Sequence, residues 1–578
     1  MSQNRVIFFY RLSIILFAVI IARVIKLQYF DTVSARRAQL NMVSTTVIQP
    51  SRGRILDRNG KVIIDNQYAY NLYVVPLYLL RSPSSLDFLS ELLNIDSDSI
   101  TALITSPNVH RDRFFRLMRD IDFKTFSAIT EKNKDIRGIY VKTEWTRKFV
   151  VETSPHIIGY LGEAREFEET SEQISYGDLI GKDGIEFMYD SLLRGEPGYI
   201  KKIRDVRGNI VSDYNRDEWK EPVIGKDIYL TIDLKLQLFI EELLGGRSAT
   251  AVVQDINTGE ILALASKPDF PLHIFSRRLS QEEWKRWSED PLKPLYNKAI
   301  MGLYPPGSVI KMATVLAAAE QKIKIPEDRV HCPGGMQIGN RFIRCWLHSG
   351  HGAVNMTQAI MMSCDTYFYD IALSVDVDKW KSTMESFGFG RRTGIDLRFE
   401  RAGLVPGYDY YRKRIRGDLT GRYANLMIGQ GELLATPLQI SNFTSIIAAG
   451  GKRFNPFLLY AYGNGNSLTY NSISPRDSLD LDPEILKTIR ESMYHVVNTF
   501  GGTAFRAKSE MITIAGKTGT AENAHGDDHA WFNAYAPYET PEIAVTVFEE
   551  HGLAGSLAAL KAKEIIEFWH LNIRNKSK

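Results

Sequence analysis

From Val6 to Ile25 the chain is mostly apolar, and Leu12 to Ala22 carries no charge. About 20 residues rising about 1.5 Å each span about 30 Å, enough for one bilayer crossing as a helix. Arg11 and Arg23 lie near the two ends, where long side chains reach the interface. No small-x-small cleavage pattern follows, since the chain runs on as Ala22-Arg23-Val24-Ile25-Lys26. We therefore read an uncleaved signal anchor, with a buried core helix as the alternative. Arg5 and Arg11 flank one side and Arg23, Lys26, Arg36 and Arg37 the other, so charge asymmetry leaves the orientation open.

Residues 26 to about 222 alternate short apolar runs, such as Val62 to Ile64 and Ala69 to Val75, with polar helical stretches near 86–134. This region holds no nucleophile–base pair and reads as a mixed α/β spacer. From about residue 223 the pattern changes. Ile228-Tyr229-Leu230-Thr231 begins a strand, and Ala249 to Asp255 and Ile261 to Ala265 flank the turn Asn257-Thr258-Gly259 as a hairpin. Helices are predicted after Ser308, Thr357 and Pro437. Further strands are predicted at Ala515 to Thr520, Ala530 to Ala536 and Ile543 to Phe548, with a helix from Leu557 to Trp569. The alternation predicts an α+β multidomain chain whose last part is an antiparallel sheet flanked by helices.

A length of 578 residues exceeds one usual domain, and 44% hydrophobic content permits a full core. We divide the chain into 1–27 (cytoplasmic tip and membrane anchor), 28–222 (non-catalytic region) and 223–578 (catalytic region). The net charge is +3, without a dense Lys/Arg stripe, which argues against nucleic acid as the main partner.

Three short motifs carry chemistry, in fixed order: Ser308-Val309-Ile310-Lys311, Ser363-Cys364-Asp365 and Lys517-Thr518-Gly519-Thr520. A serine hydroxyl is a weak nucleophile until a neighbour takes its proton. Three residues on is about one helical turn, so Lys311 shares a face with Ser308. Lys311 acts as base only when neutral, and burial beside the positive Lys517 would lower its pKa. Ser363 offers a second hydroxyl for proton transfer, and Asp365 a carboxylate to orient Ser363 or Lys311. Coupled groups titrate as a set, so the identity of the base stays open. Tyr304-Pro305-Pro306-Gly307 breaks structure just before an Ala-rich helix, which puts Ser308 near a helix N-terminus. The Ser308 and Thr520 N–H groups are candidates for an oxyanion hole. The hydroxyls of Thr518 and Thr520 near Lys517 suit a substrate carboxylate. Each motif alone has a plain reading: a solvated helix face, a helix cap at Ser363 and Asp365, a glycine turn at 516–519. The ordered trio is the pattern of active-site-serine β-lactamases and penicillin-binding proteins.

The chain resembles the class B penicillin-binding proteins, over nearly its whole length. Ser51-Arg52-Gly53-Arg54-Ile55-Leu56-Asp57-Arg58-Asn59-Gly60 is similar to the first box of that family's non-catalytic region. Gly181-Lys182-Asp183-Gly184-Ile185-Glu186, with Tyr189 and Leu193 to Gly198, is similar to the box where that region meets the catalytic domain. Thr231-Ile232-Asp233 with Leu236-Gln237, Gly429-Gln430-Gly431 and Thr436-Pro437-Leu438-Gln439 also match. The Tyr-Pro-Pro-Gly run before Ser308, and Asp365 where most relatives carry asparagine, resemble the elongation type rather than the septal type.

The resemblance implies a membrane anchor, a non-catalytic pedestal and a transpeptidase domain of penicillin-binding, β-lactamase-like fold. It implies a D,D-transpeptidase that cross-links peptidoglycan stem peptides through an acyl-serine during cell elongation, maintains cell shape and is inhibited by β-lactams. The same roles are then expected for Ser308, Lys311, Ser363, Asp365 and Lys517 (catalytic) and for Thr518, Gly519 and Thr520 (substrate-binding). It further implies a SEDS-type membrane glycan polymerase and elongation-complex proteins as partners. The expected location is single-pass in the bacterial inner membrane, with the bulk of the chain periplasmic. No cofactor is expected for the chemistry. A hydrolase of the same fold (a D,D-carboxypeptidase or β-lactamase) and a non-catalytic penicillin-binding scaffold or sensor are the alternatives.

The chain has three cysteines, Cys332, Cys345 and Cys364, all close in sequence, with His351 among them. Three thiolates and an imidazole make a closed Cys₃His set, the pattern of structural zinc. The spacing lacks C-x-x-C, so a disulfide plus a free thiol, or buried cysteines alone, are also open. His331 and His348 are alternative ligands. A metal here would brace the Ser363–Asp365 loop from behind and take no part in the chemistry. Trp531, Phe532 and Tyr535 either line a cleft or pack in the core, and alternation favours the core. Asp528 and His529 are read as a turn.

Overall fold

The computed structural model describes residues 3–26, 43–107, 109–132, 135–164, 174, 177–204, 210–213, 219–276, 279–523 and 526–576. The chain divides into two units: Met1–Arg52 with Arg194–Gly225, and Gly53–Leu193 with Lys226–Lys578.

In the first unit, Gln3–Ile25 is one helix. Its stretch Arg5–Ile25 has a mean hydropathy of 2.2, and none of it is buried, as a lipid-facing span requires. Arg36 and Arg37 lie outside the described residues. The rest of the unit centres on a three-stranded antiparallel sheet of Val43–Ile48, Gly198–Arg204 and Ile210–Asp213, with Gly198–Arg204 in the middle.

The second unit contains two large sheets. The first has seven strands and draws on distant parts of the sequence. Val62–Val74, predicted as two short strands, is a single long one. It pairs with Ile139–Phe149 and Phe115–Met118, while helices Pro83–Leu93, Ser97–Ile104 and Phe123–Glu131 supply the intervening chain. Its start pairs with Ile55–Leu56. That short strand lies parallel to Asp227–Leu230, which pairs in turn with Leu459–Asn464. The strand predicted at 228–231 thus belongs to the same sheet as residues 55–74.

The family-like boxes explain this junction. The Arg54 guanidinium donates to Asp227 Oδ2 through Nε and Nη2 (3.0 and 2.6 Å), and its backbone N–H donates to Oδ1. Gly53 passes so close to Lys226 that a Cβ would lie 1.9 Å from its carbonyl oxygen. Arg147 donates to Glu186 at 2.7 Å and to the Gly53 carbonyl, and both members of that pair are buried. Removing one member of such a pair strands a buried charge, at a cost of about 3–5 kcal/mol.

The second sheet has five antiparallel strands in the order Ile261–Lys267, Ala249–Asp255, Ile543–Glu549, His529–Ala536, Ala515–Ala521. Every residue from Ala530 to Ala536 is buried, which a strand achieves only when both of its faces are covered. Helices Pro437–Ala448 and Gly555–Asn572 provide that cover. Trp531, Phe532 and Tyr535 are core residues, as alternation favoured. The strand Ala515–Ala521 pairs on one side only, and its free edge faces the remaining helices.

Candidate active site

Ser308 lies on a single 3₁₀ turn, Gly307–Ile310, that runs directly into the helix Lys311–Glu320. The free edge of Ala515–Ala521 packs against this turn. Gly307 has φ +57°, and a Cβ there would lie 2.8 Å from the Thr520 carbonyl oxygen, so only glycine fits. That carbonyl also accepts from Gln430 Nε2 at 3.3 Å. The N–H and C=O of one strand residue point to the same side, so the Thr520 N–H faces the Ser308 turn as well. Ser308 is half-buried, and among the described residues its hydroxyl has no hydrogen-bond partner.

Ser363 occupies an unusual backbone position. The helix Met356–Met361 closes with Ser363 N–H donating to the Ile360 carbonyl and Cys364 N–H to the Ala359 carbonyl. This is a Schellman closure, whose left-handed residue is usually glycine. Here it is Ser363, at φ +56°. The strain holds a hydroxyl where glycine has none. Ser363 Oγ lies 3.0 Å from Lys517 Nζ and 3.3 Å from Lys311 Nζ. Lys311 Nζ also donates to the Ser363 carbonyl at 3.0 Å and pairs with Asp365 at 2.8 Å. Both lysines are fully buried.

The structure pairs Lys311 with the Asp365 carboxylate, whereas Lys517 is pushed well below the usual lysine range. Burial is the main cause, and repulsion from Lys311 adds to it. Two buried amines thus flank one hydroxyl, and Lys517 is the one whose charged form burial disfavours. Lys517 Nζ donates to the Ser363 hydroxyl at 3.0 Å and to the Thr518 carbonyl at 2.9 Å. Thr520 is exposed at the edge. The Thr518 hydroxyl meets the Thr503 hydroxyl at 2.6 Å.

Two residues of the site went unread in the sequence. Trp346 donates its backbone N–H to Asp365 Oδ2 at 3.0 Å and its indole N–H to the Ser363 and Met362 carbonyls at 3.1 Å. It therefore grips both polar residues of the second motif. Thr503 reaches Thr518 from the segment after Pro483–Asn498. Neither lies in a recognisable motif, and no sequence signal would have found them.

Behind this loop Cys332, Cys345, His351 and Cys364 converge, with one ligand atom of each within 4.8 Å of the others. All three cysteines are buried and none is in a disulfide. His331 and His348 are exposed and stand outside the cluster. His351 Nδ1 lies 3.6 Å from both Cys332 Sγ and Cys345 Sγ. Zn–S bonds of about 2.3 Å and Zn–N bonds of about 2.0 Å at the tetrahedral angle require about 3.6 Å between sulfur and nitrogen, so the donor set fits the ion. The hydrogen bond between Cys345 and Cys364 lowers the first to about 2 and raises the second, which leaves a thiolate on Cys345. Burial alone would lower His351, but its contacts with Cys345 and Cys332 outweigh that and raise it. Cys345 Sγ accepts the Asp365 N–H at 3.3 Å, so the cluster touches the catalytic loop directly.

The pattern that defines the penicillin-binding protein transpeptidase domain matches residues 249–567, and that of the penicillin-binding protein dimerisation domain matches 47–230. The peptidoglycan D,D-transpeptidase MrdA of Acinetobacter baumannii is 32% identical over 98% of this chain and 88% of its own length. MrdA of Escherichia coli K12 is 30% identical over 97% and 93%. The structure of penicillin-binding protein 2 in complex with MreC from Helicobacter pylori matches with a TM-score of 0.82 and 28% identity, covering 92% of this chain and 100% of that one. A peptidoglycan synthase complex coordinating polymerization and crosslinking matches with a TM-score of 0.69 and 27% identity, covering 99% and 98%.

Proposed function

The chain belongs to the penicillin-binding proteins that join a dimerisation domain to a transpeptidase domain, and we propose that it cross-links peptidoglycan during cell-wall elongation as a serine D,D-transpeptidase. One observation carries the mechanism: the Ser363 hydroxyl lies within hydrogen-bond reach of two buried lysines, one of them depressed. Ser308 Oγ adds to the penultimate D-alanine carbonyl of a stem peptide. The Ser308 and Thr520 N–H groups receive the oxyanion. The Ser308 proton enters the Lys311–Ser363–Lys517 unit and leaves on the nitrogen of the expelled D-alanine. An amine of a neighbouring strand then attacks the acyl-serine, gives its proton to the same unit and releases Ser308. Thr518 and Thr520 hydroxyls hold the terminal carboxylate, and β-lactams enter by the same acylation.

The cysteine cluster, in this reading, holds a structural zinc through Cys332, Cys345, His351 and Cys364. It braces the loop behind Ser363 and Asp365. The helix Gln3–Ile25 serves as a single-pass anchor with the catalytic residues on the periplasmic side, where the substrate lies. The likeness to a relative solved with MreC supports an elongation-complex partner of that kind. The resemblance to the family adds a SEDS-type glycan polymerase as the source of new strands.

The test is labelling by a fluorescent penicillin with intact-mass mapping. The adduct is expected on Ser308 and absent from Ser308→Ala. A donor stem peptide with an added amine should then give cross-linked product. Labelling elsewhere would overturn the site, and free tetrapeptide alone would overturn the transfer reaction.

A further inference from the structure

The net charge of +3 conceals a local excess. Arg412, Lys413, Arg414 and Arg416 are all exposed, and among the described residues none is in an ion pair. Arg341 and Arg344, on one strand of the hairpin Gly335–Ile338/Arg341–Arg344, are also exposed and unpaired among them. Of the nearby carboxylates, Glu432 accepts from Tyr411 and Arg422, and Asp418 accepts from the Thr420 N–H and hydroxyl, while the exposed Asp409 precedes the run on the same helix.

The two basic segments meet, and both are tied to the active site. The hairpin tip at Gly339 comes up to Asp418, whose Oδ2 would lie 3.6 Å from a Cβ there. The hairpin leads through Cys345 into Trp346, which holds Asp365. The other segment leads through Thr420–Met427 to Gly429, whose carbonyl accepts the Gly307 N–H at 2.8 Å. The basic groups thus lie on two segments that meet each other and that are bonded to the second motif and to the Ser308 turn. Two are also pre-oriented. The Arg414 guanidinium stacks 3.9 Å over Tyr410 and donates to its carbonyl, and Arg412 sits over Tyr408. Such stacking lowers the ordering cost of binding an anion.

We propose that Arg341, Arg344 and the 412–416 run form a binding ridge for the free carboxylates of the peptidoglycan strand next to the one being acylated. This rests on the transpeptidase reading and adds a second contact with the same substrate. Single exposed charges contribute little each, so the effect belongs to the group and is screened by salt.

The test uses the full-length protein and the triple variant Arg412→Gln/Lys413→Gln/Arg416→Gln, which leaves Arg414 and its stacking in place. Binding to purified cell-wall sacculi at low salt should weaken by about fivefold to tenfold, and the difference should vanish at high salt. Sacculi with amidated carboxylates should bind the wild type as weakly as the variant binds untreated ones. Penicillin acylation should be unchanged, because Ser308 and its partners are untouched. Equal binding of wild type and variant to sacculi overturns the proposal. So does an unaltered affinity for amidated sacculi. Loss of binding to phosphatidylglycerol vesicles with sacculus binding intact assigns the ridge to lipid headgroups, and also overturns it. Failure of Ser308 to acylate would instead strike the transpeptidase reading, a separate readout.

Discussion

Ser363 stands in a glycine position, and two substitutions there separate its backbone cost from its chemical use. Ser363→Ala removes the hydroxyl that accepts from Lys517 and Lys311 but keeps a side chain at φ +56°. Losing a hydrogen bond to a charged, buried group costs about 1.5–3 kcal/mol. Ser363→Gly loses the same hydrogen bonds but relieves the left-handed strain, worth about 1 kcal/mol. Glycine should therefore be the more stable variant, by about 1 kcal/mol. In a unit of this size that is about 1 °C in melting temperature. Both variants should acylate about 10²–10³-fold more slowly, because the hydroxyl that both buried amines contact is gone. Calorimetry gives the stability order and stopped-flow labelling with a fluorescent penicillin gives the rate. An alanine variant that acylates at the wild-type rate would refute the relay. A glycine variant less stable than alanine would refute the strain argument.

Trp346→Phe keeps an aromatic ring but loses the indole N–H to the Ser363 carbonyl, so acylation should slow by about tenfold. The change should appear in the acylation step rather than in the preceding binding constant, and a variant slowed only in binding would contradict it. Cys345→Ser should abolish zinc retention measured by elemental analysis and lower the melting temperature, while wild-type protein devoid of zinc after gentle preparation would remove the metal altogether. His156 has an enclosed Nε2 with no partner among the described residues, and burial, with help from Lys298 and Lys267, lowers it to about 3. Its folded pKa lies below its unfolded value near 6.5, so the unfolded chain binds the proton first and stability falls as pH drops from about 6.5 towards 3. By pH 5 the loss is about 2 kcal/mol, and His156→Gln should flatten that part of the stability–pH curve measured by denaturant unfolding.

The sequence alone determined the local features. Apolar length marked a helix over Val6–Ile25, the local pattern marked strands at 515–520, 530–536 and 543–548, each within a residue or a few of the observed element, and the Pro-Pro-Gly break placed Ser308 at a helix start. Such features depend on neighbours a few residues away, and so they can be read from a string. The three motifs announced the residue types for acyl transfer for the same reason. What only the tertiary structure decided involves groups far apart in sequence. Strand 227–230 joins a sheet with residues 55–74 because pairing is set by long-range packing. The Cys₃His cluster closes because the hairpin at 335–344 and the turn at 363–364 fold onto each other. That Lys517 is depressed depends on its burial, and that Lys311 meets Asp365 depends on the fold, and neither is a property of a motif. The basic run Arg412 to Arg416 is legible in the sequence, but its meeting with Arg341 and Arg344, about seventy residues away, is decided only by folding.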